Sequence, residues 1–460
     1  MEQYEMVQFR GRNASLWQSA IDQATAKRSG GSPAAAFGPE GGMRNLPRPQ
    51  QADTTIQFGN EMASLIDAST PVVRIGPPST AAAGVADTLK FCATTAYHLA
   101  EAAIKAHLTG DYSEVTALHA QLDTPFGQCD PKWGEVMANY IQSRINSEQI
   151  PYRRYANLQD FVINDRLPDN ATVVLIADWG TGQDSAKALL KRVASHSPDV
   201  VIHLGDVYYS GTQFEVQNYF YAIWQSVLGI PKVNWGEKLT DLKSKPATFH
   251  LPGNHDMYSG GGPYYSVIDM LGQPASYFCL RNSNWQFIAM DTSFHDSSPV
   301  TVQDATWVDD QEIAWIRDKV NNAGPRKSIL LSHHQLFSAF EEIGGNSVNQ
   351  KMFPQVKDLL PHLAAWLWGH EHNMVIYKRY SGVLGRCIGH GAFPVSNAAS
   401  PYGNPNAGIP LEDVRLSSDP SGFYRHGYVL MKLNGPSAEL SYIQYDSQTG
   451  AENSLFSETL

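Results

Sequence analysis

Cysteine is scarce in this 460-residue chain. Cys92, Cys129, Cys279 and Cys387 are scattered with no Cys-x-x-Cys pair, which excludes a cysteine-rich zinc module and a disulfide scaffold. Long apolar runs are also missing. No stretch approaches the roughly 18 residues that a membrane-spanning helix needs. The first residues, MEQYEMVQFRGRNASLW, contain no apolar segment of secretory type. These two features lead to the expectation of a soluble, cytoplasmic protein without a membrane partner. Basic residues are few as well: 34 Lys and Arg against 45 Asp and Glu, a net charge of −11. That balance suits nucleic acid poorly, because phosphate backbones are held by clustered Lys and Arg. A bound metal cluster could still make one cleft positive inside an acidic protein. The apolar share of 42% supports a substantial core and excludes global disorder. The length corresponds to one or two sizeable domains.

Two kinds of text follow one another along the chain. Residues 1–150 read as a mainly helical region, with helices expected at 14–27, 86–108 and 130–146, the last opening on Asp130-Pro131. A Gly/Pro/Ala-rich stretch at 29–53 has no periodicity and reads as a flexible loop. From 151 to 460 short β-branched runs alternate with helical stretches: VVLIAD (173–178), VVIHLGD (200–206), ATFHLPGNHD (247–256), SILLSHH (328–334) and HLAAWLWGHEH (362–372). Helices are expected through Leu189 and Val193, from Tyr219 to Val227 and from Asp309 to Asn321. Residues 276–291 look like a hairpin, and the tail reads as another, Tyr428–Leu433 and Ala438–Tyr445 turning at Asn434-Gly435. Strand, helix, strand repetition followed by hairpins indicates a mixed α/β sheet system.

Open α/β sheets hold ligands outside the carboxyl ends of their strands. The strand ends here carry Asp178-Trp179-Gly180, Gly205-Asp206-Val207-Tyr208-Tyr209, Gly253-Asn254-His255-Asp256, His333-His334 and Gly369-His370-Glu371-His372. Carboxylates, an amide, a phenol and imidazoles are the donors that hard or borderline cations prefer, and a carboxylate can bridge two ions. Two ions about 3.5–4 Å apart can activate a shared water and stabilise both oxygens of a displacement at phosphorus.

The ordered set Asp-x-Gly, Gly-Asp-x-x-Tyr, Gly-Asn-His-Asp, His and Gly-His-x-His resembles the calcineurin-like metallophosphoesterases, and within them the purple acid phosphatase branch, over roughly residues 170–395. The resemblance implies a four-layer αββα sandwich of two mixed β-sheets for residues 151–460. It implies a first metal held by Asp178, Asp206, Tyr209 and His372, and a second held by Asp206 as bridge with Asn254, His333 and His370. Asn254 and His255 would face the substrate phosphate, His255 would assist the leaving group, and a hydroxide between the metals would attack in line. Most members carry Asp-x-His in the first motif. Gly180 stands there instead, as in the purple branch, where a phenolate supplies the missing donor. A phenolate favours a trivalent ion, so iron is expected at the Tyr209 site and iron, zinc or manganese at the second. Plant-type members carry an amino-terminal β-sandwich and are usually secreted; this chain departs from them there.

The implied activity is hydrolysis of a phosphomonoester, on a small molecule or a phosphoprotein. The alternatives are a phosphodiesterase acting on cyclic nucleotides or other diesters, and an inactive interaction protein that keeps the fold. Several residues have plainer accounts. Asp178 and Asp206 are also placed as helix caps, and Tyr209 could be a buried aromatic with Tyr208 in the loop. His334 competes with His333 as ligand. Asp256 either orients His255 or caps the following turn. His203 and His250 read as core histidines, His295 as structural or rim, and His390 as a turn residue or pocket lining. Gly260–Gly262 reads as a mobile loop or a plain turn. The oligomeric state is open.

Overall fold

In a computed structural model, residues 149–297, 305–395 and 408–460 are described, with isolated positions outside those spans. The chain divides into two compact units, Met1–Glu148 with Ser298–Val302, and Gln149–Ser297 with Gln303–Leu460. The expected helices at 14–27, 86–108 and 130–146 and the loop at 29–53 lie outside the described residues, apart from single helical positions such as Ala102 and Tyr140. All the motif residues fall in the second unit.

Among the described residues thirteen strands form two sheets. In chain order they are β1 (Val162–Ile163), β2 (Asn170–Ile176), β3 (Val200–His203), β4 (Ala247–His250), β5 (Phe278–Arg281), β6 (Trp285–Ala289), β7 (Lys327–Ser332), β8 (Leu363–Trp368), β9 (Met374–Ile376), β10 (Gly385–Ile388), β11 (His426–Asn434), β12 (Ser437–Tyr445) and β13 (Glu452–Thr459). One sheet runs β1-β5-β6-β7-β8-β10-β9 and the other β13-β12-β11-β2-β3-β4. Both are mixed. β2, β3 and β4 are parallel neighbours, as are β6, β7 and β8, while β11, β12 and β13 form an antiparallel meander.

Alternation along β2 shows how the layers arise. Val173 and Leu175 enter the apolar core that also takes in Phe287, Ile329 and Leu331 of the other sheet. Val174 and Ile176 point the opposite way, into a second core with helices Asp184–Ser195 and Gly262–Met270. Successive strand side chains face opposite sides, so a strand buried on both faces reads as one continuous apolar run. Helix Asp310–Asn321 packs its Ile313, Trp315 and Ile316 into the first core. The result is a pair of mixed sheets, as the resemblance implied.

Four strands had no reading in the sequence, the two-residue β1 among them. β9 and β10 are only three and four residues long, and β13 follows a polar turn. The tail hairpin pairs Asn434 with Ser437, so its turn is Gly435-Pro436 and not Asn434-Gly435. The last strand is tied across to the other sheet: Arg386 of β10 forms a two-pronged pair with Glu458 of β13, Nε to Oε1 at 2.7 Å and NH2 to Oε2 at 2.6 Å. The Tyr442 hydroxyl donates to the same carboxylate at 2.7 Å. Replacing Glu458 by Gln leaves the guanidinium, 3% exposed, without its counter-charge. Removing one partner of a buried pair costs roughly 3–5 kcal/mol. With 13% of the Glu458 side chain exposed, the expected loss is about 2–3 kcal/mol, read as a lower urea midpoint at unchanged slope.

Candidate metal centre

The donors sit just beyond the carboxyl ends of parallel strands from both sheets. Asp178 follows β2, Asp206 follows β3, Asn254 follows β4, His333 follows β7, and His370 and His372 follow β8. Three of these residues hold left-handed backbone conformations that side chains other than glycine seldom adopt: Asp178 (φ 54°), Asp206 (φ 76°) and His370 (φ 67°). Strain of this kind gathers where a side chain must be aimed.

Two donor groups converge, and Asp206 belongs to both. In the first, Asp178, Asp206 and His372 bring ligand atoms within 4.8 Å of one another. Asp178 Oδ1 lies 3.4 Å from His372 Nε2, and the Tyr208 hydroxyl lies 3.0 Å from that oxygen and 2.9 Å from that nitrogen. In the second, Asn254 Oδ1 lies 3.1 Å from His333 Nε2 and 3.0 Å from His370 Nδ1. The two imidazole nitrogens are 3.2 Å apart, and His333 Nε2 is 3.4 Å from Asp206 Oδ1. Donors about 2.1 Å from one ion stand about 3.0 Å apart at right angles and about 3.4 Å apart at tetrahedral angles.

The protons point to the same conclusion. His333 Nδ1 donates to the Leu204 carbonyl at 2.9 Å, which leaves a lone pair on Nε2. The Asn254 amide nitrogen donates to the Tyr258 hydroxyl, so its carbonyl oxygen faces the cluster. Four atoms with lone pairs therefore meet, and only His370 Nδ1 could bring a proton among them. A cation resolves that arrangement, and the donor set fits one.

Burial dominates the electrostatics. It pushes the Asp178 carboxyl up to about 7. Burial would raise Asp206 too, but His333, His255 and His372 outweigh it and hold this carboxylate below its ordinary range. Burial lowers His333 from the ordinary imidazole range, against the pull of Asp206 and Asp178.

Several sequence assignments need correction. The phenol at the first group is that of Tyr208, not Tyr209. A parallel bridge holds Val207 to Gly180, the Tyr208 N–H donates to the Gly180 carbonyl at 2.9 Å, and the Tyr208 ring thereby falls beside Asp178. Tyr209 contributes its backbone: its N–H reaches Glu215 and its carbonyl accepts from His255 Nδ1 at 2.6 Å. That carbonyl, not Asp256, orients the His255 ring. Asp256 Oδ2 accepts from the N–H groups of Asp206 at 2.9 Å and Gly253 at 2.8 Å, tying two ligand loops together. His334 lies within ligand distance of His333 and His370, yet its two ring nitrogens face Thr292 Oγ1 and Asp296 Oδ2, each at 2.9 Å. His333 is thus the better donor.

His390 is buried with Nε2 facing the Ile443 carbonyl at 3.2 Å, and His295 stacks on Trp307 at 4.2 Å. Gly260 and Gly261 form a turn that leads into helix Gly262–Met270. Gly180 tolerates no side chain, since a Cβ there would sit 2.6 Å from the Asp206 carbonyl.

Two supporting residues escaped the sequence reading. Phe393 stacks on His372 with centroids 3.9 Å apart, and nothing in its neighbourhood announces that role. Glu215 gathers the N–H groups of Tyr209, Ser210 and Thr212, closing the loop after Tyr208. Its signal was legible as a Thr-x-x-Glu capping box, Thr212 to Glu215.

Two mixed sheets with paired donor groups at their strand ends define the metallophosphoesterase class. Residues 171–374 match the family described as calcineurin-like phosphoesterase. No curated protein sequence matches the chain. Among solved structures it is similar to GAP50, the anchor in the inner membrane complex of Plasmodium, at 12% identity over 63% of this chain and 88% of that one, with a TM-score of 0.41. It is also similar to a dimetal phosphatase from Danio rerio, at 13% identity over 63% of this chain and 98% of that one, with a TM-score of 0.39. No helix among the described residues is long and apolar enough to cross a membrane.

Proposed function

We propose that the chain is a two-metal hydrolase of phosphomonoesters of the purple acid phosphatase kind, acting on a small phosphate ester or a phosphoprotein. The observation that carries this reading is the sharing of Asp206 between the two donor groups. Asp178, Asp206, Tyr208 and His372 would hold iron, and Asp206, Asn254, His333 and His370 a second iron, zinc or manganese. Such a pair polarises the phosphoryl oxygens and activates water.

The chain's own part beyond coordination falls to His255. Its Nδ1–H is committed to the Tyr209 carbonyl, so proton exchange with a substrate would run through Nε2, 4.0 Å from Asp206 Oδ2. Beside the donor cluster, it would balance charge on the phosphoryl group and protonate the leaving oxygen. His255→Ala is expected to lower kcat about 10²–10³-fold with both metals retained. The check is metal analysis beside turnover of a generic monoester and a generic diester. Loss of metal in the variant would make His255 a ligand, and faster cleavage of the diester by the unaltered protein would overturn the monoesterase reading.

A further inference from the structure

Beneath the metal centre lie two histidines that coordinate nothing. His203 of β3 and His250 of β4 are neighbours in register on adjacent parallel strands, both fully buried. Their Nδ1 atoms are 2.9 Å apart. At one end the Trp179 backbone N–H lies 3.3 Å from His203 Nε2. At the other, His250 Nε2 lies 3.3 Å from Asp256 Oδ1.

A backbone amide can only donate, so His203 Nε2 must accept and the His203 proton must sit on Nδ1. That proton points at His250 Nδ1, which must accept in turn, so the His250 proton sits on Nε2 and is directed at the carboxylate. Each proton in the chain is fixed by the one before it. Burial lowers the His203 imidazole well below its ordinary range, in keeping with a neutral ring. The surroundings are aromatic: Phe220 stacks on His250 at 4.5 Å, Tyr264 lies 5.1 Å from it, and Trp224 lies 6.2 Å from His203. Phe220 comes from a π-helical turn, Val216–Tyr221, a distortion that often marks functional sites.

We propose that His203, His250 and Asp256 form a one-way hydrogen-bond chain that positions the shared carboxylate Asp206 for the metals, an inference that rests on the two-metal reading of the site. The link is Asp256. One of its oxygens takes the His250 proton, and the other holds the N–H groups of Asp206 and Gly253. Those two residues touch closely, since a Cβ on Gly253 would fall 2.0 Å from Asp206 Oδ1. The left-handed turn at Asp206 thus depends on a carboxylate whose own orientation is set two strands away. His203, His250 and Asp256 are positioning residues.

The direction of the chain makes a specific demand. In Asp256→Asn the amide oxygen can serve the two backbone N–H groups, but its NH2 then meets the His250 Nε2–H. His250 cannot move that proton to Nδ1, because His203 already points a proton there. In a His203→Phe background the obstacle is gone, and His250 can present Nε2 as an acceptor to the Asn amide.

Asp256→Asn should weaken metal binding about 10–100-fold, the usual effect of losing a partner that supports a ligand. In the His203→Phe background the same change should weaken it by a factor at least about threefold smaller, a non-additivity expected only of coupled sites. Both are measured by competition with a metal-chelating dye. Equal penalties in the two backgrounds would overturn the proposal. A second readout needs neither metal nor variant: ¹⁵N-histidine NMR of the metal-free protein should show His203 protonated on Nδ1 and His250 on Nε2. Any other pair of tautomers overturns it, even if the Asn variant does not fold. If the unaltered protein binds no metal, the reading of the site fails instead, while the tautomer result still reports on the chain.

Discussion

The Asp206→Asn protein is expected to fold normally, to hold fewer than two metals per chain, and to lose more than the roughly 10²–10³-fold in turnover that removal of one preorganised charge-stabilising group brings. Both halves of this expectation come from the same residue. Asp206 sits at φ 76°, a conformation that Asn tolerates better than almost any other non-glycine residue. The substitution therefore keeps the turn and its N–H bond to Asp256 and removes only the charge. That charge serves both donor groups, and His333, His255 and His372 hold it in its ionised form despite full burial. A neutral amide cannot bridge two cations. Metal analysis after equilibration with iron and zinc, beside circular dichroism, checks the pair of outcomes. Two tightly held metals in the variant would show that Asp206 is not shared.

Tyr208→Phe and Tyr209→Phe should behave as opposites. If iron(III) occupies the group formed by Asp178, Asp206, Tyr208 and His372, the oxidised protein has a broad visible band from the iron–phenolate unit. Tyr208 places its hydroxyl 3.0 Å from Asp178 Oδ1 and 2.9 Å from His372 Nε2. Removing that oxygen should abolish the band while iron is retained at reduced affinity. Tyr209→Phe keeps the backbone carbonyl that orients His255, so the band should survive with turnover changed little. Absorbance of iron-loaded protein decides the matter, and persistence of the band in Tyr208→Phe returns the phenolate to Tyr209.

The tyrosine pair shows where one-dimensional reasoning stops. A count from Asp206 points to Tyr209, as the motif implies. The choice is made by a contact with another segment, the bridge between Val207 and Gly180, which steers Tyr208 beneath Asp178. Asp256 is a second case. Next to His255 in sequence, it looks like that ring's orienting group, but it turns instead to Asp206, fifty positions away. His333 over His334 was resolved by partners on other elements, Leu204 for the first and Thr292 with Asp296 for the second.

Nine of the thirteen strands, and the presence of donors at five of their ends, were determined by the sequence alone. Buried parallel strands must be continuous apolar runs, and the polar residues that interrupt them fall where the chain leaves the sheet. Tertiary structure alone decided which of two adjacent side chains faces the metals, which histidine gives up its lone pair, and how His203, His250 and Asp256 align behind them. Those choices depend on hydrogen-bond partners that are distant along the chain, and a donor's direction is set by whichever group folding brings to meet it.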